Sequence, residues 1–336
     1  RQARYFRDLV LTADPGALGN PEPAWMDQVT EELANVQAAL RHLLDSGQIR
    51  ELARMAFSLW PYWWIRGRLR EGQRWVDDAL AHPEARHAGD RARLHFVAGT
   101  LLYAQGAFVE AGARHQEGAR LAREAGDDEV LLWTLTQQAH SAAVGAPGTA
   151  VVALDAAESL CRRLDEPLVE PLIDMGRGLL ALATGRLADA DRHLVDCEAR
   201  AEQLGATWTL AIALDIHGMV AIGLGDPARA ETLLRRALPI FRRLQDAWST
   251  MYVLTTLADA AALRSDGRRA AALFGAADAL GERCGATILP YLPELHQRCR
   301  ERARAEVGPD VFERLRQESR AAPLDDIVAL ALDTGA

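Results

Sequence analysis

A glycine returns along this chain at nearly fixed intervals. Gly67, Gly106, Gly145, Gly185, Gly225 and Gly267 follow one another at steps of 39, 39, 40, 40 and 42 residues. A period in the range of ~20–50 residues is the mark of one supersecondary unit that cannot bury its apolar face alone and stacks on copies of itself. Five residues after the glycines stand Gly72, Ala111, Ala150, Ala190, Ala230 and Ala272, and twelve after them Ala79, Gly118, Ala157, Cys197, Ala237 and Ala279, all small. Nine residues on, the position is mostly apolar: Val76, His115, Leu154, Leu194, Leu234 and Ala276. These offsets share one helical face, so the small side chains mark where another helix comes close. Seven residues before the glycines come Gly99, Gly178, Gly218 and Ala260, with Trp60 and Gln138 in the first and third copies. The stretches 127–144, 167–184, 206–224 and 246–266 are apolar on most faces, as expected of a helix packed on both sides. The segments after the glycines are amphipathic and rich in arginine, which suits an outer layer. No sustained period-two alternation occurs, so the expected fold is all-α, an array of helix-turn-helix pairs.

Composition removes several functions. All 38 basic residues are arginine. Without lysine the chain can supply neither the lysine of a phosphate-binding loop nor a Schiff-base amine. The net charge of -9 argues against a duplex-binding surface, because phosphate neutralisation supplies most non-specific DNA affinity. The nine histidines include no HExxH, and the four cysteines no CxxC pair, so no metal site is expected and a reducing, cytoplasmic setting fits. No serine sits in a nucleophile elbow and no DDxxD-type acidic set is present, so an enzyme is not expected either. No apolar run reaches the ~18–20 residues of a membrane span. The opening Arg1-Gln2-Ala3-Arg4 reads as a segment of a longer protein.

The glycine, the small residue twelve later and the small residue seven beyond that resemble a tetratricopeptide repeat, lengthened from the family's ~34 residues to 39–42. That resemblance implies a right-handed superhelical solenoid. A narrower one covers nearly the whole chain. Trp25-Met26, Val29, Glu32, Asn35 and Ala38-Ala39-Leu40, then Leu59-Trp60, Trp63-Trp64, Arg66-Gly67-Arg68-Leu69, Glu71-Gly72 and Trp75, resemble the start of the helical arm of bacterial STAND-class (NB-ARC/AAA-like) ATPase regulators. These include the LuxR, antibiotic-regulatory and ATPase-linked cyclase kinds. Arg268 to Leu280 and the run from Gly308-Pro309-Asp310-Val311-Phe312 through Leu324 to Leu332 resemble the closing segments of such arms. The resemblance implies N-terminal capping helices over 1–48, about six repeats over 49–286 and C-terminal capping helices over 287–336. It also implies a sensing and interaction arm whose partners are its own ATPase and winged-helix modules. ATP and magnesium would belong to the absent upstream part, and no cofactor to this segment. A constitutive protein-interaction scaffold with no small-molecule ligand is the alternative.

In tetratricopeptide arrays the first helix of each pair lines the concave surface. Transferred to this chain, those positions lie 13, 10, 6, 3 and 2 residues before each glycine. The groove then includes Arg54, Phe57, Trp64, Arg93, Phe96 and Tyr103 near its mouth, where it is aromatic and basic. Further in it includes Leu135, Met175, Leu179, Asp215, Met219 and Ile222, where it is mostly apolar. Such a face suits a small-molecule or peptide inducer, a partner helix or another part of the same chain, with ordinary core packing as the competing explanation. Eight residues before four successive glycines stand Gln137, Arg177, His217 and Asp259. That polar row is expected to be a buried network fixing repeat register, or else a reader of a polar ligand group.

Overall fold

The computed structural model describes residues 2–11, 21–286 and 291–332, and among them every regular element is helical. None of these helices is long and apolar enough to cross a membrane. Contacts divide the chain into two compact units, one ending at Leu180 and the other beginning at Ala181.

In the first unit α1 (Gln2–Leu11), α2 (Pro23–Glu31) and α3 (Leu33–Asp45) precede three helix pairs: α4 (Ile49–Ile65) with α5 (Leu69–Ala81), α6 (Ala88–Ala104) with α7 (Phe108–Ala125), and α8 (Asp128–Ala142) with α9 (Pro147–Leu164). A 3-10 turn at Pro167–Val169 leads into α10 (Glu170–Ala183), within which the division falls. The second unit contains α11 (Leu187–Gln203), the pairs α12 (Thr207–Gly223) with α13 (Pro227–Leu244) and α14 (Ala247–Leu263) with α15 (Gly267–Cys284), and then α16 (Pro293–Val307), α17 (Pro309–Ala321) and α18 (Leu324–Leu332). In both units the first helix of a pair is buried on nearly every side, as α6, α8, α12 and α14 show. The second helix buries a single face, except α15, which α16 and α17 also cover and which is buried nearly all round. Strong amphipathicity in the second helix and uniform apolarity in the first are the sequence causes of these two layers.

Two interleaved ladders of left-handed residues set the repeat. Within pairs the chain turns at Gly67, Gly106, Gly185 and Gly225, all with positive φ. Between pairs it turns at Gly126, Asp165, Gly205, Gln245 and Gly285, again at 39- or 40-residue steps. In the sixth copy the residue in the left-handed conformation is Ser265, with φ 61°, not Gly267. The step from Gly225 is therefore 40 residues. Gly267 instead opens α15, where a Cβ would lie 2.9 Å from Val307 and 3.0 Å from the Ala303 carbonyl. The small-residue positions move with it: Ala270 and Ala277 are fully buried, whereas Ala279 is half-buried.

In most pairs, helices approach through complementary sizes at the position seven before the turn and the position nine after it; the third pair, with Gln138 and Leu154 there, does not. Gly99 faces His115, whose ring would lie 2.5 Å from an added Cβ, and Gly218 faces Leu234 at 2.9 Å. In the first pair the sizes are exchanged, Trp60 standing at one position and Val76 at the other, both buried. Gly72 there leaves room for Trp63, 2.6 Å from where its Cβ would be. Gly275 lets the backbone of α17 at Arg316 lie directly against α15.

The two cores are charged differently. In the first unit His95, His115 and His140 are buried, and burial pushes their imidazoles down to about 4, 3 and 4. His115 Nδ1 sits 3.0 Å from Ser141 Oγ, and His140 Nε2 3.1 Å from the Leu172 carbonyl. In the second unit burial pushes three carboxyls up: Asp215 well above its ordinary range, Asp246 to about 6, and Asp259.

Two outcomes are expected. Ser265→Gly removes a left-handed strain of ~1–2 kcal/mol and loses an exposed hydrogen bond from Arg302 (2.9 Å), so thermal unfolding should show a net gain of about 1 kcal/mol. Acidification should separate the units. Histidines with lowered folded pKa bind fewer protons folded than unfolded, so their contribution is complete above about pH 6.5 and declines as pH falls toward 4. Carboxyls with raised folded pKa bind more protons when folded, so stability rises as pH falls through 6. Asp191 and Asp278, whose carboxyls are held low, lose their ion pairs only below the ordinary carboxylate range. Hydrogen exchange on the full chain, corrected for intrinsic rates, should show protection falling before Leu180 and holding or rising after it between pH 6.5 and 4.5. A uniform loss would contradict this assignment.

Candidate ligand site on the inner helices

In the first unit the groove positions form an aromatic layer between α4 and α6. Phe57 and Phe96 meet in a tilted arrangement at 5.1 Å between ring centroids, and Trp64 meets Tyr103 at 6.1 Å. Trp60 joins edge-on to both Phe96 and Trp64 at 6.0 Å. The Arg93 guanidinium lies 6.0 Å from the Phe57 ring and pairs with Asp127 at 2.7 Å. Phe57, Arg93 and Phe96 are thus brought together, and Trp64 with Tyr103. Arg54 is exposed, and Glu51 lies 4.0 Å from it. Leu135, Met175 and Leu179 are buried in the same unit.

In the second unit Asp215 is buried, and its Oδ1 has no hydrogen-bond partner. It lies near Asp246, the N-cap of α14, which accepts from Trp208 Nε1 (3.0 Å), the Ser249 amide (2.9 Å) and Ser249 Oγ (2.7 Å). Desolvation first, and the Asp246 charge second, push the Asp215 carboxyl well above its ordinary range.

Met219 and Ile222 instead line a cavity of about 210 Å³, shared with residues of α14 and α16. The α14 contributors are Tyr252, Thr255, Thr256 and Asp259. Counted from the true turn at Ser265, Tyr252, Thr255 and Asp259 stand thirteen, ten and six residues before it, three of the groove offsets. The sixth-copy groove positions were therefore present in the sequence, displaced by two because Gly267 is not the turning residue. Nothing in the repeat pattern points to the third wall, supplied by Leu292, Pro293, Leu295 and His296. Only packing brings that segment to α12, where Leu292 lies 3.5 Å from a Cβ built on Gly223.

The polar row resolves into inter-helix contacts repeated at 40-residue intervals. Arg177 on α10 pairs with Glu158 on α9 at 2.7 Å and lies 3.9 Å from Asp155. His217 on α12 contacts Glu198 on α11 through Nδ1 and Asp191 at 3.0 Å through Nε2. Arg229 holds Asp191 at 2.6 Å, and Arg236 reaches Glu198 at 3.6 Å. Against the upward push of burial, hydrogen bonds from His217 and Arg229 hold the Asp191 carboxyl below its ordinary range. Forty residues beyond Glu198 and His217 stand Leu238 and Leu257, both fully buried. Gln137 is also buried. Asp259 stands outside this row; it is in register with Met219 and pairs with His296 at 3.0 Å. No group of three or more metal-ligating side chains occurs among the described residues.

His217→Ala should destabilise the protein by about 1–3 kcal/mol, because it removes the contacts of a buried imidazole with two half-buried carboxylates and empties its place. The double change His217→Leu with Glu198→Leu, which copies the next repeat, should recover most of that loss in denaturant unfolding, since Asp191 keeps Arg229. A double variant no better than the single one would show that the contact is not interchangeable with an apolar pair.

No family model matches the chain. Over 177 residues, 49% of this chain, it is 27% identical to putative HTH-type transcriptional regulators of Mycobacterium bovis and Mycobacterium tuberculosis, and the match covers 20% of their length. Among solved structures it is similar to the Rap protein in its crystal structure complexed with Competence and Sporulation Factor. The TM-score is 0.63 at 12% identity, over 98% of this chain and 89% of that one. The fold is thus that of a helical-repeat solenoid.

Proposed function

We propose that this chain is the ligand-sensing and protein-interaction arm of an ATP-dependent bacterial transcriptional regulator, and that it is itself non-catalytic and cytoplasmic. The observation that carries the reading is the match to HTH-type regulators of which this chain covers only a fifth. A segment with net charge -9 is a poor candidate for the DNA contact, which would belong to another part of the polypeptide. The fold likeness to Rap, solved in complex with Competence and Sporulation Factor, supports a role exercised through binding. Inner-helix positions that converge on a cavity support a ligand as the trigger.

In this reading the arm keeps the ATPase and winged-helix modules closed until an inducer binds. The inducer must prefer the open arrangement by about 5.5 kcal/mol to take a 1:99 population to 99:1. Nearest-neighbour packing suits the task, because small changes per repeat add along the array.

Thermal shift of the purified chain against a metabolite set, and against the remaining part of its own regulator, tests this. A ligand at ~100 times its dissociation constant should stabilise the fold by about 2.7 kcal/mol. Stabilisation by the remaining part of the regulator alone would make the chain an autoinhibitory docking arm whose inducer site lies at that interface. No response to either would end the proposal.

A further inference from the structure

The cavity in the second unit has a definite polar character. Its floor is buried: Ile222 from α12, and Thr255, Thr256 and Asp259 from α14. Its rim is half-buried, formed by Met219, Leu292 and Leu295, so the floor is reached from solvent past flexible apolar side chains. The hydroxyl proton of Thr255 is committed to the Met251 carbonyl at 2.9 Å, and that of Thr256 to the Tyr252 carbonyl at 3.1 Å. Each threonine oxygen therefore retains only lone pairs. Asp259 accepts as well, with His296 Nδ1 at 3.0 and 3.2 Å from its two oxygens. Arg300, further along α16, pairs with Asp278 at 3.1 Å and lies 4.6 Å from the Phe274 ring centroid. The floor is thus a cluster of hydrogen-bond acceptors at the bottom of an apolar well.

Size restricts the occupant further. About 210 Å³ exceeds the ~150 Å³ of a cavity that takes benzene and falls short of the ~300–1,000 Å³ of drug-sized sites. We propose that this cavity binds a compact apolar molecule, of one ring or a short branched chain, carrying a hydrogen-bond-donating amine or hydroxyl head that reaches Thr255, Thr256 and Asp259. Met219, Ile222 and Leu295 enclose the apolar body. An anionic head is rejected, because it would meet acceptor oxygens and a carboxylate in a desolvated well. The inference rests on the sensor reading for its biological meaning, but binding itself is measurable without it.

Three probes with one body and different heads test it on the full chain: 2-phenylethylamine, 2-phenylethanol and phenylacetate, followed by calorimetry and by NMR. The amine and the alcohol should bind saturably, and phenylacetate at least about tenfold more weakly. Met219→Trp, which fills the well from its rim, should abolish binding with the melting temperature kept. Thr255→Val, which removes an acceptor at nearly constant volume, should weaken the alcohol about fivefold. Equal binding of phenylacetate, or binding that survives Met219→Trp, overturns the proposal. An inducer whose effect survives Met219→Trp would refute this pocket while leaving the sensor reading intact. Amine binding that never alters engagement of the regulator's other modules would do the reverse.

Discussion

The close approach of the two helices within each pair is the contact on which the rest of the structure depends. At Gly99 and Gly218 an added Cβ would lie 2.5–2.9 Å from the facing side chain, and at Gly72 it would enter the Trp63 ring. Protein interiors pack near crystal density, so such a contact tolerates an exchange of sizes between partners but not an enlargement of one. The first pair shows the exchange, with Trp60 where other copies carry Gly99 or Gly218 and Val76 where they carry His115 or Leu234. Once that spacing is fixed, the inner helix is covered nearly all round, and its remaining positions are free to differ.

Those differences are where the copies acquire character. The same pair of positions holds Glu158 with Arg177, then Glu198 with His217, then Leu238 with Leu257. A half-buried polar pair and a packed apolar pair are near-equivalent solutions, which explains why the frame accepts either. The first unit spends its inner positions on aromatic rings and neutral histidines, the second on buried carboxyls and a small well. The well exists because Leu292, Pro293, Leu295 and His296 at the start of α16 meet the inner helices where Met219 and Asp259, forty residues apart, are in register.

The sixth copy shows the limits of reading glycine as punctuation. A glycine every forty residues is easy to see, but the backbone requirement is a left-handed residue, and serine, aspartate and glutamine also meet it at Ser265, Asp165 and Gln245. Gly267 answers a different need, the closeness of α16 at Val307 and Ala303. Taking it for the turn moves Asp259 into the polar row and hides Tyr252 and Thr255 among the groove offsets. The second ladder of left-handed turns was invisible for the same reason, since two of its five members are not glycine.

What the sequence by itself determined is everything that repeats: the helical class, the forty-residue unit, the layer each helix occupies, and the inner positions in the copies with a glycine at the turn. Periodic burial and helix spacing are local properties, and a single strand of sequence records them. Tertiary structure decided what happens once only. It set Arg93 against Phe57 and Asp127, buried Asp215 near Asp246, and carried Leu292 and His296 to α12 and α14 to complete the well. Those contacts join residues up to some eighty positions apart with no shared period, and they follow from packing geometry that no local pattern encodes.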